Sequence, residues 1–171
     1  MASSASASPP EEQAGARQRE GWADGLDLPD IGLVARIVRL NLLVTRLIDA
    51  IAGEEGVASA DYLVLGVLRR SSGHRTSPTR ICEVLGRSTG GMTLTLDRLE
   101  AAGWLTRAPD PSDRRRVVVA LTEAGLELST RVNDALHAWE RSLGLGRAGT
   151  KAVLHSVDEL LELFDTAPEP A

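Results

Sequence analysis

The sequence predicts a mainly α-helical protein with one small β-hairpin. First, apolar residues recur at helical spacing through long stretches without proline, because only three prolines lie between Ile31 and Asp165. Second, 43% of the residues are hydrophobic but only 3% are aromatic, so the core must be mainly aliphatic. Third, β-branched residues at strand spacing appear only after Gly103, which places the hairpin late in the chain.

Composition excludes several classes of protein. A length of 171 residues allows one domain with tails. The single cysteine cannot form an internal disulfide, and no apolar run reaches the roughly 18–20 residues of a membrane span. The N-terminus lacks the pattern of a signal peptide. We therefore expect a cytoplasmic protein that has no cofactor and does not bind a membrane.

The N-terminal part of the chain predicts an arm followed by a long helix. Residues 1–28 are rich in Ala, Ser, Pro and Glu, which predicts a disordered or loosely docked arm. Apolar residues then follow steps of three and four from Ile31 to Ala52. This helix and the last two carry more apolar surface than a small domain can hide. We expect residues 29–58 to form an N-terminal dimerisation helix.

Capping residues predict the next three helices. A serine that can act as an N-cap begins each of them: Ser59, Ser77 and Ser88. Glycines end the third and the fourth helix, Gly86 and Gly103. Two helices joined by a tight glycine-containing turn are typical of a helix-turn-helix.

The short third helix has a predicted buried side. Ile81, Val84 and Leu85 are expected to face the core. Cys82 could be a redox sensor, but a buried small residue is the preferred interpretation. The three histidines are not at ligand spacing with another histidine or cysteine, so no metal site is predicted.

A hairpin and two more helices complete the chain. Residues 104–108 and 116–121 are the predicted strands, and the segment between them forms a turn. Because the hairpin follows the helix-turn-helix at once, residues 59–121 are predicted to be a winged helix-turn-helix that binds DNA. Thr122 caps a long helix, and residues 122–166 are expected to be dimerisation helices. Residues 167–171 form a tail.

Charge is distributed unevenly along the chain. The net charge is -5, yet ten arginines and only five acidic residues lie between Arg69 and Arg116. Phosphate binding responds to the local field, so this segment favours nucleic acid. The alternative is a solvated arginine-rich face without a partner.

The fourth helix and the hairpin have the chemistry of a DNA-binding surface. The fourth helix presents small polar groups at its N-terminal end, where the helix dipole favours phosphate. Gly90 and Gly91 allow its backbone to approach closely. The basic hairpin tip fits a minor groove, and Asp113 can hold the guanidinium of Arg115 in position.

The segment STGGMTLTLDRLEAAGWLTRAPDPSDRRRVVVALTEAG resembles the recognition helix, the wing and the following helix of the MarR family of bacterial transcription regulators. The resemblance covers roughly residues 31–165. It implies a homodimer with interlocking N- and C-terminal helices, which binds a palindromic operator and is released by a signal. We expect a repressor with a phenolic or other aromatic small-molecule effector. Its pocket would be lined by Leu40, Val44, Tyr62 and Leu65.

The predicted DNA contacts combine the resemblance with the basic segment. The family pattern matches the start of the recognition helix, the arginine of DRLE and the Asp-x-Arg of the wing. Many members have a polar or basic residue where this chain has Leu94 and Thr95, so readout is expected through threonines, thymine methyls and groove shape. The full predicted set is Ser77, Thr79, Ser88, Thr89, Gly90, Gly91, Thr93, Thr95, Arg98, Arg107, Asp113, Arg114, Arg115 and Arg116.

Other classes of function fit the sequence less well. The sequence has no P-loop and no HExxH, so no catalytic residue is predicted and an enzyme is not expected. The alternatives are a winged-helix interaction protein or a non-specific DNA binder without a ligand. An interaction-only fold would have no reason to keep Asp113, Arg114 and Arg115 at the wing tip.

Overall fold

The computed structural model describes residues 32–110, 113 and 115–168. They form six α-helices and three short strands, which confirms the predicted fold class. The elements are α1 Leu33–Glu54, α2 Ser59–Arg70, β1 Arg75–Thr76, α3 Pro78–Leu85, α4 Thr89–Ala101, β2 Leu105–Pro109, β3 Val117–Leu121, α5 Glu123–Ser142 and α6 Gly146–Asp165. The predicted arm and residues 169–171 lie outside the described residues.

The described chain divides into two compact units within α1, between Arg46 and Leu47. The first unit contains the N-terminal part of α1. The second contains the remainder of α1 and all later elements, and the core described below belongs to it. Among the helices of both units, none is long and apolar enough to cross a bilayer.

Local capping explains where α3 and α5 begin. The Ser77 hydroxyl accepts a hydrogen bond from the Arg80 N–H at 3.2 Å, as an N-cap should. The Thr122 hydroxyl accepts from the Gly125 N–H at 3.0 Å. Gly86 ends α3 in the left-handed region, with φ of 61°. These three boundaries agree with the sequence-based prediction.

The other two predicted caps differ. The N-cap of α2 is Ala58, so Ser59 is the first helical residue rather than the cap. Ser88 does occupy the N-cap position of α4, but its side chain makes no capping hydrogen bond. The first turn of α4 therefore keeps unsatisfied N–H groups, which is the usual state of an uncapped helix start.

The strands form an antiparallel sheet in the order β1-β3-β2. Leu105 pairs with Leu121 in the predicted hairpin, and Thr76 pairs with Val119 on the other edge of β3. The third strand, β1, was not predicted. It attaches the segment between α2 and α3 to the wing, and it makes β3 the central strand.

The core of the second unit is aliphatic, as predicted. Ile48, Ile51 and Ala52 of α1 pack on it or within it. Its largest fully buried side chains come from α2, α3, α4, α5 and the sheet: Val64, Leu65, Leu68, Ile81, Met92, Leu99, Leu105, Val119 and Val132. One core therefore joins the helix-turn-helix, the wing and the first half of α5.

The buried side of α3 differs from the prediction at one position. Ile81 and Cys82 are buried, which confirms the structural interpretation of Cys82, but Val84 is 53% exposed. In a helix with about 100° per residue, Ile81, Cys82 and Leu85 share one face. Val84 falls outside that arc and points away from the core.

The start of α5 packs directly on the start of the wing. The Thr122 N–H donates to the Trp104 carbonyl at 3.1 Å, and the Thr122 hydroxyl donates to the Gly103 carbonyl at 2.8 Å. A Cβ at Gly125 would lie 1.9 Å from the same Trp104 carbonyl oxygen. Only glycine leaves room for this approach between two backbones.

Apolar side chains near both ends of the described chain are exposed to solvent. In the first unit, α1 exposes Leu33, Val34, Val38, Leu40, Leu42, Leu43 and Val44. In the second unit, α6 has no buried residue and exposes Val153, Leu154, Val157, Leu161, Leu163 and Phe164. Exposed apolar surface of this extent is typical of an interaction site.

Replacing Gly125 tests the junction between the wing and α5. We expect Gly125→Ala to lower the free energy of unfolding by about 1–3 kcal/mol, because the methyl group must push α5 away from the Trp104 carbonyl. Urea denaturation followed by circular dichroism measures the change. The matched control is Gly53→Ala in α1, where a Cβ meets nothing within 4 Å and alanine should stabilise the helix slightly. Equal effects of the two substitutions would contradict the predicted clash.

Candidate nucleic-acid interface

The N-terminal half of α4 is the exposed part of the helix-turn-helix. Met92, Leu96 and Leu99 face the core and fix the rotation of the helix. This rotation leaves the opposite face open, where Gly90 and Thr93 are exposed. Ser88, Thr89 and Gly91 are exposed beside them, as the sequence predicts. The surface is small, polar and close to the backbone.

An ion pair fixes the C-terminal half of α4 to α2. Arg98 Nε donates to Asp61 Oδ2 at 2.8 Å, and Arg98 Nη2 donates to Asp61 Oδ1. The Asp61 carboxylate is buried, whereas the Arg98 side chain is 56% exposed. The hydrogen bond to Asp61, and then its charge, raise the pKa of Arg98 above the usual value. Arg98 was predicted to contact DNA; its guanidinium is held by Asp61, and the contact with DNA stays a prediction.

Thr95 does not face outward. Its side chain is buried, and its hydroxyl donates to the Gly91 carbonyl at 3.2 Å. Thr95 lies one turn from both Met92 and Leu99, so the rotation that buries them also buries Thr95. The prediction that Thr95 contacts DNA is therefore wrong for this structure.

Arg107 ties the wing to α4. Its Nη2 donates to Asp97 Oδ1 at 2.6 Å, and its Nε lies 3.5 Å from Glu100 Oε2. The Arg107 N–H also donates to Glu100 Oε1 at 3.0 Å. These contacts join β2 to the last turns of α4. Both acidic partners offset the charge of Arg107, and its predicted contact with DNA stays a prediction.

The wing tip has a different internal geometry from the one predicted. Asp113 Oδ1 accepts from the backbone N–H of Arg115 at 3.0 Å, not from its guanidinium. The Asp113 carbonyl accepts from the Arg116 N–H at 2.9 Å. The aspartate therefore shapes the turn, which is a common use of this side chain. Arg115 and Arg116 are exposed, and Arg114 lies outside the described residues.

A shallow cavity of about 440 Å³ lies at the base of the wing. Arg75 from β1 and Arg116 from the wing line it, next to Ser77 at the start of α3. The exposed Thr79 lies in the first turn of the same helix. Sequence reasoning missed Arg75, because a strand of two residues has no recognisable periodicity. Its position two residues before the Ser77 cap was the only available signal.

Most of the arginine excess in the basic segment serves the fold. Six of its arginines have partners within the chain: Arg69 with Asn133, Arg70 with the Gly66 carbonyl, Arg80 with Glu83, Arg87 with the Ala60 carbonyl, Arg98 with Asp61, and Arg107 with Asp97 and Glu100. The guanidinium groups of Arg75, Arg115 and Arg116 have no partner among the described residues. The available positive charge is therefore concentrated around the wing.

The four residues predicted to line a ligand pocket divide into two pairs. Tyr62 and Leu65 are packed in the core, so a ligand cannot reach them in this structure. Leu40 and Val44 are exposed on α1 in the first unit. The effector pocket remains a prediction.

A helix-turn-helix whose second helix is followed by a small antiparallel sheet defines the class of winged helix-turn-helix proteins. Comparison with known proteins shows which family within this class the chain is similar to. Residues 55–116 match the family model described as the MarR family. This similarity to the MarR family of winged helix-turn-helix transcription regulators confirms the resemblance found in the sequence. Similarity to a family of non-enzymatic regulators also supports the prediction that the chain is not an enzyme.

Two curated relatives show the extent of the similarity. The regulator PecS of Dickeya dadantii is 34% identical over 108 residues, which are 63% of this chain and 65% of PecS. The multiple antibiotic resistance protein MarR of Escherichia coli is 34% identical over 93 residues, which are 54% of this chain and 63% of MarR. The match therefore spans slightly less than two thirds of the length of each relative.

Solved structures are similar over a larger part of the chain. The apo form of wild-type E. coli MarR is 25% identical with a TM-score of 0.65, and the match covers 77% of this chain and 97% of that one. A cysteine-to-serine mutant of E. coli MarR complexed with operator DNA is 26% identical with a TM-score of 0.65. That match covers 80% of this chain and 98% of the mutant.

Removing one partner of the Asp61–Arg98 pair should destabilise the protein. We expect Arg98→Ala to lower the free energy of unfolding by about 1–2 kcal/mol, because it leaves a buried carboxylate unpaired while solvent screens the exposed end of the pair. Chemical denaturation of the variant measures this change.

The control for this prediction is an exposed ion pair. Arg80→Ala removes the pair with Glu83, in which both side chains are exposed, and should change stability by less than about 0.5 kcal/mol. Arg98→Ala should also cost less in an Asp61→Ala background, because no buried charge remains. An equal cost in both backgrounds would contradict a direct interaction.

Proposed function

We propose that this protein is a sequence-specific DNA-binding transcription regulator that acts as a homodimer on a palindromic operator. One observation carries the proposal: the N-terminal half of α4 is exposed and built from small residues, while its C-terminal half is fixed to the body. This is what a helix needs in order to enter a major groove in a defined orientation. The match to a MarR structure complexed with operator DNA supports the same function.

The glycines of α4 support close approach by another molecule. A Cβ at Gly90 would meet nothing within 4 Å, and at Gly91 it would meet only the Ser88 hydroxyl at 3.9 Å. The fold itself therefore does not require glycine at either position. We assign Ser88, Thr89, Gly90, Gly91 and Thr93 to the DNA-facing surface, where the free N–H groups of the first turn favour phosphate.

The wing provides the positive charge of the interface. Arg115 at the tip is placed to enter a minor groove, where a narrow groove strengthens the attraction of arginine. Arg75 and Arg116, with Ser77 and Thr79, are placed to contact the phosphate backbone. In this arrangement phosphate contacts position the protein, and α4 reads the bases.

The exposed apolar faces support the homodimer. The α1 residues of the first unit and the α6 residues of the second would both lie open to water in a single chain. Their burial against a second copy would be favoured by about 25 cal/mol per Å² of apolar surface. A symmetric dimer also presents two winged helices, as a palindromic operator requires.

The sign and the control of regulation complete the proposal. We propose a repressor of bacterial genes that acts in the cytoplasm and is released by an aromatic small molecule. Leu40 and Val44 remain the candidate pocket residues, because Tyr62 and Leu65 are already packed. Release would follow if the ligand favours a dimer whose half-site spacing no longer matches successive major grooves.

Fluorescence anisotropy across a salt series tests the proposal. The protein should prefer a duplex selected from a random pool over a scrambled duplex, and the preference should persist at moderate salt. Sedimentation of the complex should give two chains per duplex. If the protein binds both duplexes equally and this binding is lost as the salt concentration rises, only non-specific attraction to a basic surface is indicated. The interaction protein or the non-specific binder would then be the better interpretation.

Removing the charge of the wing tip tests the assignment of Arg115. Arg115→Ala should weaken binding to the selected duplex about tenfold and reduce the slope of affinity against salt by about one, because one positive charge is lost from the interface. The matched control is Arg131→Ala, which removes the same charge from an arginine on α5 that pairs with Glu55. If both variants bind alike, the wing tip is not part of the interface.

A further inference from the structure

We propose that Leu94 on α4 recognises a thymine methyl group in each half-site of the operator. This inference rests on the proposed DNA binding and adds the chemistry by which the helix selects bases. It assigns selectivity to one apolar side chain rather than to a charged or amide group.

Leu94 is unusually exposed for its size. It is 69% exposed, the highest value among the exposed large hydrophobic side chains of the described residues. It lies on the outer face of α4, and Gly90 and Gly91 are one turn earlier on the same face. Because these glycines have no side chains, nothing on the helix shields Leu94 toward the end that would enter the groove.

The charged side chains of α4 are already paired. The helix contains three of them, and each has an opposite charge within the chain: Asp97 and Glu100 with Arg107, and Arg98 with Asp61. The bidentate arginine–guanine contact that commonly reads DNA is therefore not available from this helix. Hydroxyl and methyl groups remain on its outer face.

Thymine is the base that matches this surface. In the major groove, each base pair presents hydrogen-bonding groups, but only thymine adds an apolar one, its C5 methyl. Leu94 can bury that methyl without leaving a base donor or acceptor unsatisfied. The same side chain over a cytosine would desolvate the amino group and gain no partner for it.

The surroundings of Leu94 favour a small apolar target over a second copy of the chain. Its neighbours on the outer face of α4 are Gly90, Thr93 and Asp97, which are small or polar. The extended apolar faces that suit a protein partner lie instead on α1 and α6. One apolar side chain within a polar surface matches one methyl group on a polar groove floor.

Methyl deletion in the DNA tests the contact directly. An operator is first selected from a random duplex pool, and its thymines are then replaced one at a time by deoxyuridine, which lacks only the C5 methyl. At one symmetric pair of thymines, each single replacement should weaken binding of the intact protein about fourfold. This corresponds to one buried methyl-sized group per half-site. Other replacements should have little effect.

Variants of the protein complete a thermodynamic cycle. Leu94→Ala should bind the thymine duplex more weakly and should no longer distinguish thymine from deoxyuridine at that position. Leu94→Met, which keeps an apolar side chain of similar reach, should retain the discrimination. Val84→Ala is the matched control, because Val84 is also an exposed aliphatic residue but lines a different surface, with Val67 and Arg70.

The outcomes separate this inference from the function on which it rests. If the protein prefers the selected duplex but is insensitive to every deoxyuridine, the role of Leu94 is overturned and the regulator remains. The same holds if Leu94→Ala weakens both duplexes equally, since the two groups then do not interact. If selection yields no preferred duplex, the proposed function itself fails.

Discussion

The burial of one carboxylate constrains the rest of the DNA-facing surface. Asp61 on α2 is buried, and a buried charge of this kind is costly unless it is paired. Its partner, Arg98, is on α4, so the pair fixes these helices relative to each other. Arg107 adds a second attachment from the wing. Because both attachments are in the C-terminal half of α4, the N-terminal half stays free for another molecule.

Local signals made most of the secondary structure predictable. Caps such as Ser77 and Thr122 act within one turn, so their effect can be inferred from neighbouring residues alone. Orientation and pairing depend on distant parts of the chain. The inward rotation of Thr95 follows from packing, and the strand Arg75–Thr76 exists only because β3 is beside it. The strand could not be deduced from spacing, whereas the burial of Thr95 agrees with its position one turn from Met92 and Leu99.

Charge counts along a sequence do not show which charges are available. The basic segment predicted a positive surface, yet the contact between Arg98 and Asp61 spans 37 positions in the chain. Only the fold can bring such partners together, and the pairing leaves less of the arginine charge available to another molecule. The location of the candidate site on α4 and the wing was therefore predicted, but the choice of individual residues within it was not.

The tight junction between Trp104, Thr122 and Gly125 couples the orientation of the wing to that of α5. The two backbones approach closely there, and two hydrogen bonds from Thr122 join them, so a rotation of one would strain its contacts with the other. A helix of 20 residues is about 30 Å long, so a tilt of about 6° moves its far end by about 3 Å. In the reverse direction, a small displacement at the distal end of α5 becomes a change in the angle of the hairpin.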